Sequence, residues 1–506
     1  MTFIPGSDRI PGIGQRVVLQ RSPGAPGVDR KVLLIGYRLS TASDQDDDTA
    51  VRVRNRNDAI AIGGAGSMLD LMAAGAFEAG RLALTDDAVV GAVPEIYVMP
   101  IAEPAEVGDL AAEYTLTLAG TATAAGTLTA YVHGRAVTVS VLAGDLAADV
   151  AARVETALAL PAPDLFYTFS RSGAVHTFTC RHKGTAGNQL VVWADVRNAP
   201  GITAASAQTV VGVGDVDLST ALSASLAIDF DMVALPQSDS TTRDALVAHV
   251  TAAWRYDVAR YQIPVFPGAG TVSTAQTDAL ALTHWRVTLP HAEKVAGVTF
   301  ALDPKSSASK LSFVLGAEYA SRMMSQRAPN FNFNGASLPG GGRPSNLDRD
   351  VLNDTLSAGV AEVIEDVNRP GLSKIVDPIT TASTDQTGAT SATDYTWAPI
   401  EIPKTVAYIL RQMDIALAKF SQAQADETTR ISIKAAALRV LRQAEIDKYI
   451  TGAPGPDGFS TKIDNTAVTV QFEIAEGKTV ANVELDYAVI TGLDQVAVTH
   501  NVSRAL

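Results

Sequence analysis

The sequence predicts an α/β core interrupted by a β-rich inserted domain and closed by an α+β C-terminal domain, with extended arms at both ends. Three observations lead to this. The apolar runs KVLLIGY (31–37), PEIYVMPI (94–101), FDMVALP (230–236), IPVFPG (263–268) and VAGVTFAL (295–302) suit strands covered on both faces. Between several of them, residues 67–77, 242–256 and 306–324 carry apolar side chains at three-to-four spacing, the alternation expected of a sheet with crossover helices. From 105 to 215 the text changes to short Thr-, Ala-, Val- and Gly-rich runs, and the core character resumes only afterwards. The expected division is an arm at 1–30, a core at 31–104 and 216–395, an insertion at 105–215, a C-terminal domain at 396–490 and an arm at 491–506.

Each element has its own reason. In the first arm, Pro5, Gly6, Pro11, Gly12, Gly14, Pro23, Gly24, Pro26 and Gly27 leave only RVVLQR able to form a strand. In the insertion, YTLTLAG, GTLTAYVHG, RAVTVSVLAG and VHTFTCRHKG alternate and are bounded by glycines. One helix, 145–158, is expected among them. The last third holds two amphipathic helices. At 402–421 the stripe is Val406, Ile409, Leu410, Met413, Leu417 and Phe420, and at 431–450 it is Ile433, Ala437, Val440, Leu441 and Ala444. The alternating runs AVTVQFEI and VANVELDYAVI flank the turn AEGK, and QVAVTHNV reads as an unpaired final strand. A lone strand near each end offers edges for joining other copies, with Val17, Val18 and Leu19 in one and Val496, Val498 and Val502 in the other.

Bulk properties exclude several classes. The 506 residues are 47% hydrophobic and 19% charged, an ordinary globular composition that allows about two to four domains. A net charge of −14 opposes a direct nucleic-acid partner, because phosphate binding needs a basic surface. The opening MTFIPGSDRIPGIGQ lacks the pattern of a signal peptide, and no run of about eighteen apolar residues occurs. The expectation is folding in the cytoplasm without stable membrane insertion. The single cysteine, Cys180, lies in a strand-like setting and reads as a buried thiol.

Candidate enzymatic and metal motifs fail on chemistry. GAGSM (64–68) superficially resembles the nucleophile turn of subtilisin-like proteases, but Ser67 precedes all seven histidines. In the subtilisin order both partners come before the serine, so the segment reads as a glycine turn into a helix. GKT (477–479) has Phe472 where a phosphate loop needs its first glycine. The acidic run Asp44, Asp46, Asp47 and Asp48 has Thr49 and Asn55 where a calcium loop wants glycine and glutamate. His176 and His182 flank Cys180, and alternation puts all three on one face only if the strand runs unbroken. No catalytic, cofactor-binding or metal residues are expected, and no cofactor. One charge pattern stands out. RISIKAAALRVLR places Arg430, Lys434, Arg439 and Arg442 on a helix with no acid between them, suiting contact with an acidic protein surface through pairs worth about 0.2–1 kcal/mol each.

In order and spacing, several segments together resemble the contractile tail sheath proteins of Mu-type phages. They are IPGSDRIPG with KVLLIGYR, GAGSMLDLM with PEIYVMPI, AGTATAAGTLTAYVHGRAVTVSVLAGDLAADVAARV with RHKGTAGN, then FNFNGASLPG, LNDTLSAGVAEVIED with IVDPITT, and DYTWAPIEIPKTVAYILRQMDIAL. The glycine-rich PGGGRP at 339–344 departs from the pattern. The resemblance implies a non-enzymatic subunit with a subtilisin-like sheath core, stacked as hexameric rings around a tail tube. It further implies strand exchange between neighbours through the terminal arms, baseplate and tail terminator proteins as further partners, and contraction that drives the tube through a host envelope. A sheath from a phage-derived bacteriocin or injection particle has the same parts. A subtilisin-fold hydrolase is the distant alternative.

Overall fold

The computed structural model describes residues 30–42, 46–86, 91–132, 135–159, 165–255, 258–268, 270–292, 311–326, 328–340, 349–366, 368–369, 371–384, 386, 393–420, 423–454, 460–475, 478–490 and 495–505. The strand-like runs RVVLQR and VAGVTFAL lie outside these. The chain begins with β1 (Lys31–Tyr37), β2 (Val51–Val53), α1 (Arg56–Gly63), α2 (Met68–Asp86) and β3 (Glu95–Ile101). Next come β4 (Ala111–Gly120), β5 (Gly126–Val132), β6 (Arg135–Val141), α3 (Ala147–Ala159), β7 (Tyr167–Ser172), β8 (Val175–Lys183), β9 (Val192–Asp195) and β10 (Ile202–Val210). Then follow α4 (Ser219–Ser225), β11 (Met232–Ala234), α5 (Ser240–Ala253), β12 (Ile263–Val265), α6 (Val272–Leu282), β13 (Pro290–His291), α7 (Ser312–Met323), β14 (Ser337–Pro339), α8 (Arg349–Ser357), β15 (Ala361–Glu365) and β16 (Leu372–Ile375). The last elements are α9 (Glu401–Leu417), α10 (Glu427–Ile446), β17 (Ile450–Pro454), β18 (Ser460–Thr461), β19 (Val468–Ala475), β20 (Lys478–Ile490) and β21 (Gln495–Ala505).

The architecture is mixed α/β with several sheets. The first sheet has the order β12-β11-β1-β3-β2 and is parallel except at its β2 edge. Val32 to Ile35 of β1 are fully buried, as a strand covered on both faces requires. Helices α2 and α7 pack closely together. A Cβ built on Gly75 of α2 would come within 2.9 Å of Val314 and Glu318 side-chain atoms of α7, so glycine there sets the approach of the two helices.

Strands β4 to β10 form two separate antiparallel sheets, β10-β4-β8-β7 and β6-β5-β9, and among the described residues none of these strands pairs with a strand of the other sheets. Strand β4 shows strict burial alternation through Ala112, Tyr114, Leu116 and Leu118. Helix α3 lies against this group, burying Val150, Ala151, Val154 and Leu158. A further small sheet, β13-β15-β16-β14, joins segments far apart in sequence.

In the last third, α9 buries Val406, Ile409, Leu410, Met413 and Leu417, while Phe420 is half-buried in the 3₁₀ turn that follows. Helix α10 begins four residues earlier than the stripe suggests because Asp426 caps it, accepting from the Thr429 N–H at 2.7 Å. It ends at Ile446, before Lys448 with φ of 62° turns the chain into β17. Likewise α2 continues past Phe77 to Asp86, its Ala79 and Ala83 extending the buried face. Strand β20 is flanked on one side by β19 and β17 and on the other by β21. The final run, expected to be unpaired, is therefore paired within its own chain. The pattern of single runs shows alternation but not which neighbour supplies the partner strand.

Candidate assembly surfaces

The turn into α2 is a closed hydrogen-bonded cap. Gly64 and Gly66 have φ of 87° and 72°, positions that favour glycine. The Ser67 hydroxyl accepts from the Asp70 N–H at 3.0 Å, and the Asp70 carboxylate accepts from the Gly66 N–H at 2.9 Å. That reciprocal pair resembles a capping box. Asp70 also takes a two-pronged bond from Arg56 at 2.6 and 2.9 Å, and Ser67 is fully buried. Ser67 Oγ is thus committed to the helix end and shielded from any substrate.

Strand β8 runs unbroken, with His176, Phe178, Cys180 and His182 all on its buried face. The three candidate ligands are nonetheless used separately. His176 donates from Nε2 to the Ala151 carbonyl at 3.0 Å, leaving Nδ1 unprotonated, and burial holds its pKa below the usual value. His182 accepts at Nε2 from the Met68 N–H at 3.1 Å and donates from Nδ1 to Glu103 at 3.2 Å. Burial pushes the Cys180 thiol up to about 12, and a Cβ on Gly187 would sit 3.0 Å from its sulfur. Among the described residues no cluster of three or more His, Cys, Asp or Glu side chains is placed to hold a metal ion. In the acidic loop, Asp47 pairs with Arg38 at 2.6 Å. Lys478 and Thr479 open β20, opposite Ala475 and Ile474 in a hairpin.

The C-terminal end of a parallel sheet is where α/β enzymes bind substrates. Here that end forms a cleft lined by Gln189, Asp215, Gln237, Asp239 and Ser312 among others. These polar groups are bonded to the chain itself. Gln237 donates to the Val216 carbonyl at 2.7 Å and to Asp239 at 2.8 Å, and Gln189 exchanges bonds with Ser312 at 2.6 and 2.8 Å. Burial, with Asp239 and Asp109 nearby, raises the Asp215 pKa. No histidine lines the cleft among the described residues.

At the opposite end of the sheet, α9 is locked onto the starts of the parallel strands. Arg411 grips Asp229 at 2.8 and 3.0 Å, bonds Asp231, and donates to the Phe230 carbonyl at 3.1 Å. Asp231 also accepts from the Lys31 N–H at 2.8 Å, and Tyr261 donates to Asp414 at 2.8 Å. Lys404 donates to the Met323 carbonyl at 2.9 Å at the C-terminal end of α7, below the Phe333 ring at 4.5 Å. No motif search finds these partners, because Arg411 and Asp231 stand 180 positions apart.

Of the four helix cations, Arg439 and Arg442 are exposed and Arg430 and Lys434 are half-buried. Arg430 is held by Glu427 one turn earlier, at 2.7 Å, and Arg442 donates to Asn465 at 3.1 Å. Val17, Val18 and Leu19 lie outside the described residues. Val496, Val498 and Val502 stand opposite Val489, Tyr487 and Val483 in the β20–β21 pair. No described helix is long and apolar enough to cross a membrane.

No protein-family model matches the chain. Over 235 residues it is 27% identical to the Mu-like prophage FluMu tail sheath protein of Haemophilus influenzae, a match covering 46% of this chain and 45% of that protein. The aligned part is therefore less than half the length of that curated relative. Among solved structures, the sheath tail protein of Desulfitobacterium hafniense matches with a TM-score of 0.50 at 13% identity, covering 94% of this chain and 97% of that one. The sheath tail protein Lin1278 of Listeria innocua gives the same TM-score and identity, covering 94% of each chain. These relatives are structural tail sheath proteins, not enzymes. The chain has the fold of the tail sheath proteins and is a sequence relative of a Mu-like one.

Proposed function

We propose that this chain is the structural subunit of a contractile tail sheath in a virion tail, assembled in the host cytoplasm as stacked hexameric rings around a tail tube. Contraction drives the tube through the host envelope. The observation that carries the reading is the sheath-protein fold over 94% of the chain, supported by the sequence match to a Mu-like sheath protein. In this reading the parallel sheet with α2 and α7 is the subtilisin-like core. Strands β4–β10 form an outer domain, and α9, α10 and β17–β21 a tube-proximal one. The partners are other copies of the chain, the tube protein, and baseplate and terminator proteins.

Two surfaces follow. Arg439 and Arg442, with Arg430 and Lys434, would face an acidic tube surface. Val496, Val498 and Val502 would exchange from the pairing with β20 to a neighbour's sheet, joined there by the strand containing Val17, Val18 and Leu19. A donated strand of about four to six backbone hydrogen bonds at about 0.5–1.5 kcal/mol each gives a link that survives subunit rotation. The energy of contraction is the difference in buried intersubunit surface between the two lattices, with no nucleotide consumed. Negative-stain microscopy of the purified chain tests the reading. Hollow helical tubes or sixfold rings are expected, and a protein that stays monomeric at high concentration overturns it.

A further inference from the structure

One tie between the inserted strands and the core is a buried imidazole. His182 sits at the end of β8 with no exposed surface, and its two ring nitrogens hold two different elements. Nε2 accepts from the Met68 N–H at 3.1 Å, one of the unpaired donors at the start of α2, while Nδ1 donates to Glu103 just beyond β3. The ring is packed between Tyr37 and Phe166, with centroids at 5.9 and 5.7 Å. Glu103 also accepts from the Lys183 N–H at 3.3 Å, and the bonds from His182 and Lys183 leave its pKa below the usual value although burial opposes them.

We infer that His182 is an acid-labile clasp between the inserted β-rich segment and the N-terminus of α2. Only the neutral ring with its proton on Nδ1 can make both bonds. Once a second proton is added, Nε2–H faces the Met68 N–H, two donors oppose each other, and a positive charge stands at the positive end of the α2 dipole. The Met68 bond is then lost while the Glu103 bond strengthens. The ring stays with Glu103 and releases the helix.

The charged and titratable groups around the ring come from each packed element. Glu103 and Lys183 act from the connecting segment and β8, and Asp70 from the first turn of α2 is already neutralised by Arg56. Tyr37 of β1 and Cys180 of β8 are both raised by burial and remain uncharged across the acidic range. Among the described residues Glu103 is thus the one carboxylate shown to bond the ring directly. A second tie, between Gln189 and Ser312 at the start of α7, contains no titrating group. Acid therefore opens the His182 fastening and leaves the Gln189–Ser312 tie and the Phe166–Phe313 ring contact in place.

The test is amide hydrogen exchange of the full chain, corrected for intrinsic rate, compared at about pH 8 and about pH 5. Protection of the peptide containing Met68 is expected to fall about tenfold at the lower pH, with the start of α6, capped by the non-titrating Thr271 hydroxyl, as the reference. His182→Gln keeps an acceptor near the Nε2 position and should abolish the pH dependence. Equal protection at both pH values in the wild type, or the same fall in His182→Gln, overturns the inference. If that variant fails to fold, 15N-histidine labelling of the wild type decides. A neutral ring protonated on Nδ1 that gains a proton as the Met68 amide opens supports the clasp. A ring protonated on Nε2 at neutral pH refutes it.

Discussion

Replacing Arg411 with Met should detach α9 from the parallel sheet more than any surface change could. The Arg411 and Asp231 side chains are 12% and 10% exposed, whereas Asp229 is 38% exposed. Removing one partner of a buried pair costs about 3–5 kcal/mol, since the other charge stays buried. The exposed Asp229 contact adds no more than about 1 kcal/mol. Asp231 keeps its bond from the Lys31 N–H, which places the expected loss near the lower end, about 3 kcal/mol. Tryptophan fluorescence reads this region directly. Trp254 packs on Tyr261 at 5.4 Å, Tyr261 bonds Asp414 of α9, and Trp285 bridges Trp254 and Trp397. With a urea slope of about 3 kcal/mol/M, the midpoint should fall by about 1 M. Adding Asp231→Asn to Arg411→Met should recover much of the loss, because the orphaned charge is gone. A single variant within about 0.5 kcal/mol of wild type would refute the lock, that being the range of ordinary surface substitutions.

Three further outcomes are expected. Burial, only partly offset by the nearby Glu401, holds the Lys404 pKa well below its usual 10.5, so between the folded and the ordinary value the unfolded chain binds the extra proton and stability rises with pH; Lys404→Met should flatten that rise, and identical pH–stability curves would contradict it. Ser67→Ala should cost about 1 kcal/mol through loss of the α2 cap, with tube formation unchanged and no labelling of the wild type by serine-directed probes; labelling at Ser67 would reopen the hydrolase reading. Arg439→Glu with Arg442→Glu should leave the circular dichroism spectrum intact while weakening co-sedimentation with the tube protein at low salt. Raising salt from about 0.05 to 0.5 M should mimic it in part, as the Debye length falls from about 14 to about 4 Å; equal co-sedimentation at low salt would remove α10 from the tube contact.

Local pattern made the long elements readable. KVLLIGY became β1 with the same ends, and the alternating text around Tyr114 and Phe178 became β4 and β8, because burial period follows side-chain direction. The Ser67 turn was legible from its glycines. Strands β11 and β12 are each three residues long, too short to show a period and shorter than the apolar runs that contain them. The sheet β13-β15-β16-β14 joins His291 to Glu362 and Ser337 to Lys374, pairings no window of sequence contains. The same limit hid the bond between Met68 and His182, 114 positions apart. For the basic helix the opposite error applied. The run from Arg430 looked free of acid, yet Glu427 lies one helical turn before it and takes Arg430 as its partner.

The setting of Cys180 has a practical consequence for anyone following this protein in motion. It is the sole thiol in 506 residues, it is 4% exposed, and its thiolate, the form that reacts with maleimides and disulfide reagents, is suppressed by burial. The native chain is thus a blank background for labelling. A cysteine placed at Arg439 or Arg442 would be the one reactive handle per subunit, so spin or fluorescent probes could report distances during assembly without first removing a native residue.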